Sequence, residues 1–66
     1  MKYNETIKRC RKYSKKYPDK FFMVIDEYND GNFDFCQDKE LELYYLGLPE
    51  CNIYACISNG QIEEEY

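Results

Sequence analysis

Phe21-Phe22-Met23-Val24-Ile25 is the densest apolar run in the chain, and Asp26-Glu27-Tyr28 extends it at a polar end. The run is aromatic and β-branched, too short for a buried helix, and bracketed by Pro18-Asp19 and by Asn29-Asp30-Gly31-Asn32. Those features predict a central β-strand around which the other segments must pack.

Downstream of it, Asn29-Asp30-Gly31 suits a three-residue hairpin loop with Gly31 left-handed, followed by a strand over 32–37. That register sets Ile25 opposite Phe35 and gathers Phe21, Met23, Ile25, Phe33 and Phe35 on a core face. A two-residue Asp30-Gly31 loop is the rival, and it moves Phe33 and Phe35 to the face of Asp26 and Tyr28, since a one-residue slip exchanges the faces of a strand. Glu40-Leu41-Glu42-Leu43-Tyr44-Tyr45-Leu46 alternates as a third strand, although Asp38 as cap and Gly47 as stop equally bracket a short helix. The strand is the preferred reading. Cys51, Ile53, Ala55 and Ile57 alternate with Asn52, Tyr54, Cys56 and Ser58, and Asn59-Gly60 then forms a strong hairpin signal that pairs Ile57 with Ile62. Glu63-Glu64-Glu65-Tyr66 either continues as an acidic edge strand or frays.

Upstream, Asn4 as cap, Glu5 in the first turn and Lys15-Lys16 near the end predict a helix over 5–16, stopped by the effect of Pro18 on Tyr17. Tyr3, Ile7, Cys10, Ser14 and Tyr17, with Tyr13 beside them, form the stripe that faces the core. The opposite face is cationic, and each like-charge pair three or four residues apart costs about 0.2–0.5 kcal/mol, so the helix depends on the sheet beneath it. The expected architecture is α+β: one N-terminal amphipathic helix on an antiparallel sheet of four or five strands, in a single domain over 1–66, with Leu41–Leu46 as strand or short helix.

Composition narrows the chemistry. Four cysteines without any histidine or C-x-x-C pair favour free thiols over a disulfide frame, and neither a metal site nor a cofactor is expected. No triad is possible without histidine, Ser14 and Ser58 sit in no nucleophile elbow, and the glycines form no phosphate loop. Asp26 and Glu27 point to opposite faces of a strand, and the stretch Asp26 to Gln37 has Tyr28 and Gln37 where an EF-hand needs ligands. The expectation is therefore no enzyme. No apolar stretch approaches the roughly 20 residues of a membrane span, and Met1-Lys2-Tyr3-Asn4-Glu5 starts no signal peptide, which predicts a soluble, cytoplasmic protein.

The net charge of −4 hides an asymmetry: residues 1–20 carry eight Lys or Arg against Glu5 and Asp19, a net +6, whereas residues 21–66 carry Lys39 against eleven acids, a net −10. The expected outer sheet face holds Phe22, Val24, Asp26, Tyr28, Asp34, Glu42 and Tyr44, with Asp26 opposite Asp34, an unfavourable pair that a cationic partner would relieve. Carboxylates recurring on one strand face imitate phosphates, and tyrosine among charges is an interface composition. Asp26, Tyr28, Asp34, Glu42, Tyr44, Glu63, Glu64 and Glu65 are thus the candidate partner-binding residues of a small acidic inhibitor of a nucleic-acid-handling protein. Its partner would be a basic protein such as a nuclease or CRISPR effector. Lys, Asn, Tyr, Ile, Phe and Met make up 31 of 66 residues, which fits an AT-rich genome and an anti-CRISPR-like, phage-borne role in the host cytoplasm. The alternatives are direct nucleic-acid binding through Lys8, Arg9, Arg11, Lys12, Lys15 and Lys16, or a homodimeric or toxin-neutralising module that pairs through an edge strand.

Overall fold

The computed structural model describes residues 1–66. Helix α1 (Tyr3–Ser14) is followed by β1 (Phe21–Ile25), β2 (Asp34–Gln37), helix α2 (Asp38–Tyr44), a 3-10 turn (Glu50–Asn52), β3 (Ile53–Ser58) and β4 (Gln61–Glu65). The four strands form one antiparallel sheet in the order β2-β1-β3-β4, so β1 is paired on both sides and the expected α+β architecture holds. α1 lies across one face of this sheet, against β1, β2 and β3.

Which side of β1 faces the helix is the main departure from the sequence reading. Val24 pairs with Phe35 and with Ala55, and Phe22 pairs with Ile57, so Phe22, Val24, Phe35, Ala55 and Ile57 share the inner face. Phe22, Val24, Ala55 and Ile57 form the buried core with Cys10 of α1, and Tyr3, Ile7, Phe33 and Phe35 pack against it. Phe21 and Met23, expected in the core, point to the outer face, and Phe21 is 49% exposed. Phe33 and Phe35 therefore share the side of Phe22 and Val24, as the rival hairpin implied, although the loop is neither of the two expected.

The reason is the segment 26–33. Asp26 is 2% exposed, and its two carboxylate oxygens accept the backbone N–H groups of Asp30 (3.1 Å) and Gly31 (2.8 Å). Its own N–H donates to the Asn52 carbonyl at 2.9 Å, while Asn52 Nδ2 donates to the carbonyls of Asp26 (2.8 Å) and Glu27 (3.2 Å). A longer loop over 26–33, folded around the Asp26 carboxylate, thus replaces the tight hairpin, and a residue read as an outer-face carboxylate becomes an internal anchor. Asp34 pairs with Ile25, so the predicted Asp26–Asp34 clash does not arise.

The second correction concerns Leu41–Leu46, which is helical rather than extended. Asp38 Oδ1 accepts the Lys39 N–H at 2.8 Å, and Asp38 and Glu40 occupy the first turn, where the helix dipole favours negative charge. Gly47, at φ 85°, turns the chain beyond the helix. A third consecutive strand would have paired with the outer edge of β2, with Leu43 opposite Phe35; that edge carries no strand, and the chain coils into α2 instead. α2 packs against β2 and β1 through half-buried Leu41, with half-buried Tyr45 and Leu48 beyond it, and has no fully buried residue.

The β3–β4 hairpin agrees with the prediction, with Ile57 opposite Ile62 and a two-residue turn in which Asn59 (φ 47°) and Gly60 (φ 74°) are both left-handed. This turn is fastened to α1. The Gly60 N–H donates to Ser14 Oγ at 2.8 Å, Arg11 Nε donates to the Gly60 carbonyl at 2.9 Å, and the Lys15 side chain fills the space a Cβ at Gly60 would occupy. Register shifts give β3 an extra residue at Tyr54 and β4 one at Glu63. The first brings Tyr54 onto the inner face with Tyr3 and Phe33, centroids 6.4 and 4.9 Å away, and turns Ile53 to the outer face opposite Ile25.

At the N-terminal end α1 begins at Tyr3, with Lys2 in the cap position and Asn4 inside the first turn, correcting the expected Asn4 cap. The Met1 amine donates to Asn32 Oδ1 and the Phe33 N–H donates to the Met1 carbonyl at 2.7 Å, which fixes where the chain enters the helix. The Thr6 N–H and hydroxyl both donate to the Lys2 carbonyl. At the other end the helix closes at Ser14, two residues early, through Lys16 and Tyr17 N–H bonds to the Tyr13 and Ser14 carbonyls.

Candidate partner-binding face

Across the outer face runs a row set by pairing: Cys36, Met23, Cys56 and Glu64 lie side by side on β2, β1, β3 and β4. Flanking rows place Asp34 beside Ile25 and Ile53, and Phe21 beside Ser58 and Gln61. The floor is therefore apolar or weakly polar, and the acids stand at its two margins. On the β2 side are Asp34, Asp38 and Glu40; on the β4 side are Glu63 and Glu64. At the end of the β4 side, Met23, Glu50, Cys51, Ile53 and Tyr66 line a shallow cleft of about 400 Å³.

The thiols on the floor register the acids on both margins. Burial pushes Cys36 up to about 12, with Glu40, Asp34 and Asp38 adding to it, and burial followed by Glu63, Asp38 and Glu64 raises Cys56. Negative potential thus converges on the middle of the face from both sides.

Of the residues expected to bind a partner, Asp34 lies on the outer face, and Glu63 and Glu64 border it. Glu63 accepts the Ser58 hydroxyl at 2.7 Å and Glu64 the Tyr66 hydroxyl at 2.9 Å, so both are met by neutral donors. Glu65 turns to the helix side, where the Tyr3 hydroxyl donates to it at 3.2 Å; burial first and Glu65 second raise the Tyr3 hydroxyl. Glu42 and Tyr44 ride on α2, with Tyr44 77% exposed, and Tyr28 sits in the 26–33 loop, 78% exposed. Asp26 is removed from the candidate set, since its carboxylate is buried and occupied by backbone donors. A single strand face studded with carboxylates is therefore not formed; the acids are divided between two margins.

Sequence reasoning missed Asp38, Glu40, Leu43 and Leu46. Leu43 near the end of the acidic helix and Leu46 two residues beyond it are 61% and 80% exposed, on either side of Tyr44 in the chain. The signal was present in the Asp38 cap and the Gly47 stop, which a helical reading would have turned into these exposures.

The basic residues lie on the other layer. Lys8, Arg11, Lys12 and Lys15, with Asn4 and Ile7, line a groove of about 390 Å³ along α1, and Arg9, Lys12 and Lys16 flank Tyr13 and Phe35 on its other side. The four cysteines are free thiols, and no three His, Cys, Asp or Glu side chains are grouped to hold a metal ion. No helix is long and apolar enough to cross a membrane. No protein-family model matches the chain, and no curated protein or solved structure is significantly similar to it.

Proposed function

We propose that the chain is a small acidic inhibitor that binds, one to one, the basic nucleic-acid channel of a nucleic-acid-handling protein, as a phage or mobile-element anti-defence protein of the anti-CRISPR kind would. The observation that carries this reading is the segregation of charge between layers: Lys8, Arg9, Arg11 and Lys12 ride on α1 with Lys15 and Lys16 just beyond it, and Asp34, Asp38, Glu40, Glu63 and Glu64 border the sheet face turned away from it. The two acidic margins stand three inter-strand spacings apart, roughly 14 Å. That is close to the roughly 12 Å width of a duplex major groove, so the two margins imitate two phosphate backbones better than one strand would. Phe21 and Met23 between them offer apolar contact, and Tyr28 and Tyr44 at the α2 end are anchors of the type enriched at interfaces.

The test uses the immobilised chain and a bacterial lysate. Retained proteins should be basic nucleic-acid binders that added duplex DNA displaces, and Asp34→Lys with Glu64→Lys should abolish retention while circular dichroism stays native. Retention that ignores both the DNA and the charge reversals would overturn the proposal.

A second reading, direct nucleic-acid binding, is favoured by one feature of α1. Arg11 is hydrogen-bonded to the Gly60 carbonyl and the aliphatic stem of Lys15 lies against Gly60, so one cation of the groove is fixed before any ligand arrives. Oligonucleotide titration at low salt decides it: binding with a steep salt slope supports the helix, and its absence leaves the acidic face.

A further inference from the structure

We infer that the free edge of β4 is a docking site for an extended, lysine- or arginine-rich segment, which adds to the sheet as a fifth strand. β4 ends the sheet, and all five of its residues are exposed. The opposite edge is less available, because β2 has four residues and runs directly into α2, which packs against it.

The backbone of β4 has groups to offer. The two-residue Asn59-Gly60 turn makes Ser58 and Gln61 a hydrogen-bonded pair, and the Tyr66 N–H bonds the Tyr54 carbonyl at 2.9 Å at the other end. Hydrogen-bonded and non-hydrogen-bonded pairs alternate along an antiparallel ladder, and the bulge at Glu63 adds one residue to β4, so the N–H and C=O groups of Ile62 and Glu65, three residues apart, point away from β3. An open edge of this kind is a template for β-augmentation, in which main-chain bonds supply the attachment and side chains select the strand.

Charge selects the occupant. A second copy pairing antiparallel through β4 would set Glu63, Glu64 and Glu65 of one chain against the same residues of the other, and directly opposed like charges destabilise a sheet. A strand bearing Lys or Arg reverses the sign of every such pair. The inference rests on the acidic partner-binding reading above and adds to it the geometry: pairing along an edge, beyond contact on a face.

The probe is an octapeptide of alternating lysine and valine added to the full-length ¹⁵N-labelled chain, with amide exchange followed residue by residue. Exchange at Ile62 and Glu65 should slow at least tenfold. Methylating the peptide's pairing amides should weaken binding roughly tenfold, the effect of losing two hydrogen bonds. Glu63→Gln with Glu64→Gln should weaken it severalfold in a chain that keeps its fold, and a glutamate–valine octapeptide should not bind. Protection confined to the Cys36–Met23–Cys56 row, or affinity indifferent to methylation, would overturn edge pairing while leaving the acidic-face reading intact. Lysate capture insensitive to Asp34 and Glu64 reversal would instead reject that reading.

Discussion

The two faces of the sheet are built from the same strands and are energetically unlike. Inside, Cys10, Phe22, Val24, Ala55 and Ile57 are at most 1% exposed, and Phe22, Phe35 and Tyr13 meet at aromatic centroid distances of 5.5–6.4 Å. Outside, Ile25 and Cys36 are buried, but Phe21 is half exposed and α2 covers the margin without one fully buried residue. A chain of this size hides only about 60% of its unfolded surface, so its stability is marginal and must come from the face that is closed. The open face is left free to be chosen for contact with something else.

The sharpest way to break this comparison is to truncate the two adjacent phenylalanines separately. Phe22→Ala should cost about 3–5 kcal/mol, comparable to the whole stability of so small a domain, and leave the chain largely unfolded by circular dichroism. Phe21→Ala should cost less than about 1 kcal/mol in urea denaturation. Equal costs would mean that the inner and outer assignments of β1 are wrong.

Next in size is the Asp26 anchor. Asp26→Ala leaves the Asp30 and Gly31 N–H groups without their acceptor, for a loss of about 2–3 kcal/mol. Asn52→Ala should cost a similar amount, because it removes the donor to the carbonyls of Asp26 and Glu27. Acting on one loop, the two should be less than additive in a double-mutant cycle, and full additivity would mean that the anchor is not one unit.

Alkali tests two buried thiols by titration, Cys10 in the core under α1 and Cys36 on the outer face of the sheet. Burial pushes Cys10 and Cys36 up to about 12, whereas an unfolded thiol ionises near 8.5. The folded chain therefore binds more protons than the unfolded one above that range, and its stability, intact at lower pH, falls as the pH climbs towards about 12. Between pH 9 and 10 each of the two thiols should remove about 1 kcal/mol, and Cys10→Ala should flatten the slope of denaturation midpoint against pH. In the native state at neutral pH, exposed Cys51 should alkylate first and Cys10 last.

The same contrast governs what was legible in the sequence. Elements defined by local chemistry were readable: the central strand at Phe21–Ile25, the Asn59-Gly60 hairpin with Ile57 opposite Ile62, and most of the helix stripe, where Tyr3, Ile7, Cys10 and Ser14 turn inward but Tyr13 and Tyr17 are exposed and Thr6 is buried in addition. What failed depended on distant partners. The parity of β1 turns on Asp26 being buried, and that burial needs Asn52, which lies 26 residues away and carries no local signal. Leu41–Leu46 alternates like a strand, yet the chain coils into α2 directly after β2 and leaves unfilled the β2 edge where that strand would have paired. The acidic character of the outer surface was visible in the net charge, but its division into two margins required the strand order β2-β1-β3-β4.

The smallest expected change in stability falls on the residues that matter most for contact. Leu43 and Leu46 are 61% and 80% exposed, so Leu43→Ser with Leu46→Ser should move the unfolding free energy by no more than about 0.5 kcal/mol. Neither residue helps to close the core, and the half-buried apolar residues at α2, which packs on β2 and β1, are Leu41 and, just past its end, Tyr45. A folding role would therefore predict silence in every assay. The interface role predicts otherwise: apolar side chains beside Tyr44, rimmed by Glu40 and Glu42, lose water on contact with a partner, and their removal should weaken capture of the basic target by tenfold or more. If the double substitution leaves both stability and capture unchanged, the α2 end is no part of the binding surface, and contact must fall to the sheet floor and the β4 margin alone.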